Sequence, residues 1–228
     1  MNFYYSLSKL KQNFLLKSFD VLYRHNKINP PSFVVWDSTK KCNLNCIHCG
    51  SGEVSQKELD TEEAEAFIDQ LSLFGVKHFQ ITGGEPLLRE DFTEIVNYAS
   101  RKGLNISFAS NGYYIDKEKV KSLCKLNVSV IQISIDGTKE THNIIRGNPE
   151  SFDRAINALK LLKDYSNSKI GVSTVVMPQN IETLVRLRDK LISLNVDFWN
   201  IGTVMPAGKA ENNPSLILSK EQFGYFEV

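Results

Sequence analysis

The sequence has almost no net charge, few cysteines and no long apolar run, and each absence excludes a class of protein. Lysine and arginine together number 27, against 26 aspartate and glutamate residues, so no strong field attracts nucleic acid or an anionic membrane. No run of about 18 apolar residues offers a membrane-spanning helix, and the amino terminus lacks the apolar core of a signal peptide. We therefore expect a cytoplasmic protein that binds neither nucleic acid nor a membrane.

The four cysteines are too unevenly placed for a disulfide framework. Cys42, Cys46 and Cys49 lie close together, whereas Cys124 stands alone in a helical pattern. Clustered thiols are typical of a metal or cluster site in a reducing compartment. We expect Cys124 to be a small buried apolar side chain and not a ligand.

Strand and helix patterns alternate along most of the chain. Runs rich in β-branched residues predict six strands, at 33–36, 78–81, 105–109, 128–135, 170–176 and 197–204. Amphipathic segments predict the helices between them, at 61–74, 91–101, 116–126, 152–162 and 181–194, with Thr61 as the first N-cap. This alternation indicates a parallel sheet with right-handed crossovers, either an open doubly wound sheet or part of a (β/α) barrel.

The two ends of the chain stand outside this alternation. Apolar residues at helical spacing predict a helix over 3–23, which we expect to pack on protein rather than on a membrane surface. A last helix starts near Ser219 and the chain stops within it, so we expect a fragment or a truncated protein. The predicted domains are an N-terminal helical extension, 1–31, and a core domain, 32–228.

The clustered cysteines follow the first predicted strand directly. Loops after parallel strands lie at the carboxyl edge of the sheet, where active sites gather. Three thiolates on one loop can bind three corners of a [4Fe–4S] cube and leave the fourth iron open to a ligand. The alternative is a structural zinc site with His48 as fourth ligand, but such sites usually use separated ligand pairs, and His48 is adjacent to Cys49. The spacing favours the cluster.

The Cys-x3-Cys-x2-Cys loop, with an aromatic residue before its last cysteine, resembles the signature of the radical S-adenosylmethionine (SAM) superfamily. Later motifs, each at a predicted strand end, add to the resemblance. It implies that Cys42, Cys46 and Cys49 bind the cluster. It also implies a set of residues that hold SAM: His48, Thr82, Gly83, Gly84, Glu85, Pro86, Ser110, Asn111, Ser134, Asp136 and Arg146. Among these, the Gly-Gly-Glu-Pro motif would hold the SAM amino group, since glycines allow close main-chain approach, and Arg146 would pair with the carboxylate.

The segment 200–210 resembles the sixth-strand region of the subgroup with a cluster-binding C-terminal extension, the SPASM or twitch type. That extension needs further cysteines, and none follows Cys124 in this sequence. The resemblance covers about residues 32–210 and implies a fold: a partial (β/α)₆ TIM-like barrel with an extra N-terminal helix.

The resemblance also implies an activity. A [4Fe–4S] cluster would cleave SAM reductively to methionine and a 5′-deoxyadenosyl radical, which abstracts hydrogen from a substrate. An external low-potential electron donor would be one partner, and a peptide or a tetrapyrrole-like small molecule would be the substrate; we favour a peptide. The alternative is a non-catalytic metal-binding module with a degenerate or truncated fold of this family.

Overall fold

Six parallel strands form one sheet whose spatial order is the order of the chain. The computed structural model describes residues 31–50 and 57–224. The strands are β1 (Phe33–Asp37), β2 (His78–Thr82), β3 (Asn105–Ser110), β4 (Val130–Ser134), β5 (Lys169–Val176) and β6 (Phe198–Thr203). A doubly wound sheet reverses its strand order at a switch point, and this sheet does not. The fold is therefore the partial (β/α)₆ barrel, and the doubly wound alternative is wrong.

Helices connect the strands at close to the predicted positions. In the described residues they are α1 (Thr61–Leu73), α2 (Phe92–Arg101), α3 (Lys117–Leu123), α4 (Lys139–Arg146), α5 (Ser151–Tyr165), α6 (Leu184–Ser193) and α7 (Lys220–Gly224). The sequence did not predict α4, and α6 is preceded by a short 3₁₀ turn, Ile181–Thr183.

The N-cap of α1 differs from the prediction. Asp60, and not Thr61, caps the helix, because its carboxylate accepts from the Glu63 main-chain N–H while the Glu63 carboxylate accepts from the Asp60 N–H. This reciprocal pair is a capping box. Thr61 instead donates its hydroxyl to Asp91 at the start of α2, at 2.8 Å.

The main core lies between the sheet and the helices. Phe79 and Ile81 of β2, and Ile106 and Phe108 of β3, have almost no exposed surface. Phe108 packs edge-on against Phe92 of α2, with ring centroids 5.3 Å apart. Since side chains alternate between the two faces of a strand, the residues between these apolar ones point into the half-barrel.

The inner face of the half-barrel forms a groove lined mainly by neutral polar side chains. This inner groove encloses about 310 Å³ near the amino ends of the strands, and its polar lining includes Gln80, Ser107, Gln132 and Asn200. The ring of Phe198 lies over Gly171, where any Cβ would overlap it. The groove is therefore partly filled at this end by an aromatic ring.

The helix predicted over 3–23 lies outside the described residues, so the division of the chain at residue 31 stays a prediction. None of the helices in the described ranges is a candidate membrane span.

Candidate active site

The three clustered cysteines lie on residues 38–50, which we call the cysteine loop, directly after β1 at the carboxyl edge of the sheet. Cys42 is exposed, Cys46 is buried and Cys49 is intermediate. Burial of the Cys46 thiol, and partial desolvation of the Cys42 thiol within an otherwise exposed residue, raise the pKa of both thiols above the ordinary value. Both are therefore protonated near neutral pH, and a group that binds thiolates would displace their protons.

Other loops bring their main chains against the cysteine loop at four glycines, Gly83, Gly84, Gly147 and Gly208. A Cβ on Gly84 would overlap the Lys41 carbonyl oxygen, and one on Gly208 would overlap that of Cys49. A Cβ on Gly147 would stand 2.8 Å from the Asn45 carbonyl oxygen. These glycine contacts fix the loop at its beginning, middle and end.

Main-chain hydrogen bonds accompany the glycine contacts. Gly84 N–H donates to the Thr39 carbonyl at 2.6 Å, and Glu85 N–H donates to that of Lys41 at 2.8 Å. Ile47 N–H donates to the Ile145 carbonyl at 2.9 Å, while Lys209 N–H donates to the Cys49 carbonyl at 3.0 Å. Contacts with other segments of the chain therefore hold the cysteine loop in its conformation.

The structure gives a reason for glycine at positions 83 and 84 that could not be predicted from the sequence. A Cβ on Gly83, whose φ is 132°, would overlap the Thr39 carbonyl oxygen. Both glycines therefore allow the end of β2 to pack on the cysteine loop. Their contact with SAM stays a prediction.

Glu85 joins the ends of β2 and β3 through a buried carboxylate. It accepts from the Ser110 hydroxyl at 2.9 Å, from Asn111 N–H at 2.8 Å and from Leu87 N–H at 3.2 Å. Burial raises the pKa of Glu85 to about 6. Asn111 in turn donates its amide to Asn43 Oδ1 on the cysteine loop, at 2.9 Å. The contacts observed for Glu85 are with the protein, so it orders the residues that follow β3.

The flanking motif residues lie at the same edge. Both the Ser38 N–H and the Ser38 hydroxyl donate to the Thr82 carbonyl, at 2.8 and 2.9 Å. Pro86 begins a 3₁₀ turn, Pro86–Leu88. Ser134, the last residue of β4, stands beside Ser173 of β5. The fold therefore brings the predicted SAM residues of β2, β3 and β4 to one edge.

The side chain of Arg146, the last residue of α4, contacts the cysteine loop at Cys46. Its Nε lies 2.6 Å from Asp136 Oδ2, and its Nη1 lies 3.8 Å from Cys46 Sγ. Asp136 is fully buried. Burial alone would raise the pKa of Asp136, but the adjacent guanidinium holds it below its usual range. Asp136 thus contacts Arg146 and the main chain, and its contact with SAM stays a prediction.

Two histidines near this ion pair are neutral. Burial lowers the pKa of His48 to about 4 and that of His142 to about 3. His48 Nδ1 and Asn43 Nδ2 are buried and have no hydrogen-bond partner among the described residues. Orphaned polar atoms are rare in folded proteins, and two of them on the cysteine loop are typical of a site whose ligand supplies the partner. No three His, Cys, Asp or Glu side chains in the described ranges gather as a single-ion site.

Sequence reasoning missed Arg89. Its Nη1 donates to the Ser38 carbonyl at 2.6 Å, its Nη2 pairs with Asp91 at 2.7 Å, and its guanidinium stacks over Trp36. It therefore joins the start of the cysteine loop to α2. The only sequence signal is an arginine two residues before an aspartate at a predicted helix start.

The expectation that Cys124 is buried was wrong. Cys124 is exposed, and its thiol donates to the Tyr165 carbonyl at 3.1 Å. It follows α3 and lies on a different segment from the cysteine loop.

Comparisons with known proteins match most of the chain. The family model for the radical SAM superfamily matches residues 36–191, more than half of the chain. The chain is 32% identical over 189 residues to an AdoMet-dependent heme synthase of Methanosarcina barkeri, covering 81% of this chain and 54% of that protein. It is 36% identical over 160 residues to the mycofactocin maturase MftC of Mycolicibacterium smegmatis, covering 69% of this chain and 41% of the maturase.

Solved structures show the same fold. SuiB of Streptococcus suis bound to S-adenosylmethionine aligns with 99% of this chain and 53% of its own, at a TM-score of 0.73 and 20% identity. The chain spans about half the length of the curated relatives above. The cysteine loop, the strand-end motifs and the family match lead to one conclusion: the chain belongs to the radical SAM superfamily.

Proposed function

We propose that this chain is the core of a radical SAM enzyme in which Cys42, Cys46 and Cys49 bind a [4Fe–4S] cluster. The cysteine loop carries the proposal, because it places three thiols at the carboxyl edge and is held in shape by contacts from three other loops. When bound, the cluster and SAM supply the reductive cleavage of SAM to methionine and a 5′-deoxyadenosyl radical. An external low-potential donor supplies the electron.

The residues at the strand ends would hold SAM in two ways. Main-chain carbonyls of Gly83 and Gly84 would accept from its ammonium. The side chains of Thr82, Ser110, Asn111, Ser134 and Arg146 would offer polar groups to the rest of the molecule. Glu85 and Asp136 are almost fully buried. We assign them to positioning Ser110, Asn111 and Arg146, while Pro86 fixes the turn after the motif and His48 borders the last cysteine.

The comparisons support a peptide as the substrate. One relative is a mycofactocin maturase, and SuiB, which shares this fold, was solved bound to its precursor peptide. The alternative is a tetrapyrrole, since another relative is an AdoMet-dependent heme synthase. Fluorescence titration with coproporphyrin III tests this choice: we expect no saturable binding, and tight binding would favour the tetrapyrrole.

Anaerobic reconstitution tests the cluster. Cys42→Ala, Cys46→Ala and Cys49→Ala should each lose the iron, the sulfide and the cleavage of SAM after reduction, because each removes one of the three protein ligands. Cys124→Ala is the matched control and should keep all three, since it lies outside the cysteine loop.

Two outcomes would contradict the proposal. Zinc in place of iron and sulfide would establish the structural metal site. A stable cluster that neither binds nor cleaves SAM would establish the non-catalytic module.

A further inference from the structure

A buried ion pair lies against the middle cysteine of the loop. Asp136 has no exposed surface and Arg146 is 9% exposed. Arg146 Nε lies 2.6 Å from Asp136 Oδ2. Nη1 of the same guanidinium lies 3.8 Å from Cys46 Sγ, which is within hydrogen-bonding distance of sulfur. Buried ion pairs add little net stability, because desolvation offsets their attraction. Stability alone therefore does not account for this pair.

Neighbouring elements hold both partners in place. Asp136 Oδ1 accepts from Val175 N–H at 3.0 Å, and the Asp136 carbonyl accepts from the Asn180 amide at 2.8 Å. On the other side, Arg146 ends α4 and is followed by Gly147, which packs on the cysteine loop. The guanidinium is thus fixed relative to Cys46 by contacts that do not involve SAM.

We propose that Arg146 raises the reduction potential of the cluster by donating to the Cys46 sulfur, and that Asp136 is the positioning residue that holds it there. The inference rests on the proposed function, since it needs a cluster on Cys46. One-electron reduction makes a cluster more negative. A cation and an N–H donor at a ligating sulfur stabilise that reduced form, as hydrogen bonds to cluster sulfurs do in general. The negative charge of Asp136 opposes this rise in potential, while its ion pair with Arg146 fixes the position of the guanidinium.

The test is the midpoint potential of the reconstituted cluster without SAM, measured by electron paramagnetic resonance during a redox titration at one pH. Arg146→Gln should lower the potential, because the donor and its charge are lost. Asp136→Asn should raise it, because the Asn side-chain oxygen can still accept from Arg146 and keep it in place, while the counter-charge is lost. The double variant Asp136→Asn/Arg146→Gln should have a lower midpoint potential than the wild type, since Arg146 is the partner in contact with the sulfur.

The double variant also guards against misfolding, because it leaves neither charge buried alone. Arg154→Gln is the matched control: this arginine is exposed on α5, and its loss should leave the potential unchanged. A purely structural role would reduce iron and sulfide content without shifting the potential of the clusters that remain.

Equal potentials in Asp136→Asn and the double variant would overturn the inference and leave the proposed function intact. A wild-type protein that binds no cluster would instead refute the proposed function, and this inference with it.

Discussion

At the scale of single residues, the site depends on two buried carboxyl groups that behave differently. Glu85 accepts three hydrogen bonds and forms no ion pair among the described residues; burial raises its pKa to about 6, although Arg146 acts at a distance to lower it. Asp136 has the Arg146 guanidinium at 2.6 Å, which keeps its pKa low despite complete burial. Glu85 is therefore the group whose charge changes just below neutral pH.

The Glu85 shift predicts a pH-dependent stability. Its folded-state pKa of about 6 lies above the ordinary 4.5, so the folded protein binds this proton more tightly than the unfolded chain does. The free energy of unfolding should therefore fall by about 2 kcal/mol as the pH rises from 4.5 through 6. In Glu85→Gln the free energy of unfolding should differ from that of the wild type by an amount that does not change with pH below 4.5, and it should not fall between pH 4.5 and 6. Denaturant unfolding of the metal-free protein at several pH values measures both curves, and parallel curves would refute the assignment.

At the scale of structural elements, the shape of the cysteine loop depends on the loops that pack on it. Gly84 shows this directly, because the nearest atoms to its missing Cβ are main-chain atoms of Lys40 and Lys41. Main-chain atoms cannot rotate away as a flexible side chain would. A substitution there must move one loop or the other.

Gly84→Ala should therefore destabilise the protein by about 1–3 kcal/mol, as overpacking usually does, and should reduce cluster binding. Gly202→Ala is the matched control, since a Cβ on Gly202 of β6 meets nothing within 4 Å and should change neither property. Thermal unfolding and iron content after reconstitution give the two readouts. Full cluster loading in Gly84→Ala would show that the loop does not need this close approach.

The sequence predicted the strands and the cysteine loop because their signals are local. Runs of β-branched residues and the spacing of three thiols can be read within ten residues. Helix α4 was missed because its eight residues include only two apolar ones, Ile144 and Ile145. The burial of Asp136 could not be predicted, since it depends on Arg146 at the far end of that helix. Arg89 likewise acts through Ser38, which is distant in sequence.

At the scale of the whole molecule, the half-barrel has an unpaired edge at each end of the sheet described. The outer strands are β1 and β6, and each pairs with one neighbour. Ile201 of β6 is 46% exposed and Val35 of β1 is 51% exposed. Exposed apolar edge strands favour pairing between molecules.

Ile201→Lys should therefore slow aggregation of the isolated chain, because a charged side chain at a strand edge opposes edge-to-edge pairing. Leu73→Lys is the matched control: Leu73 is 62% exposed but ends helix α1, away from either edge. Light scattering during incubation at a fixed concentration compares the two. Equal slowing in both variants would point to general surface hydrophobicity and not to strand edges.

The glycine contacts on the cysteine loop also have a consequence for biosynthesis. Gly84, Gly147 and Gly208 meet the loop from positions spread along most of the chain. A ribosome completes the three cysteines early and reaches Gly208 much later, so the nascent thiols emerge before the segments that shape their loop. We therefore expect iron and sulfide delivery to follow translation and folding of this domain, with the assembly machinery meeting a loop that is already in its final form.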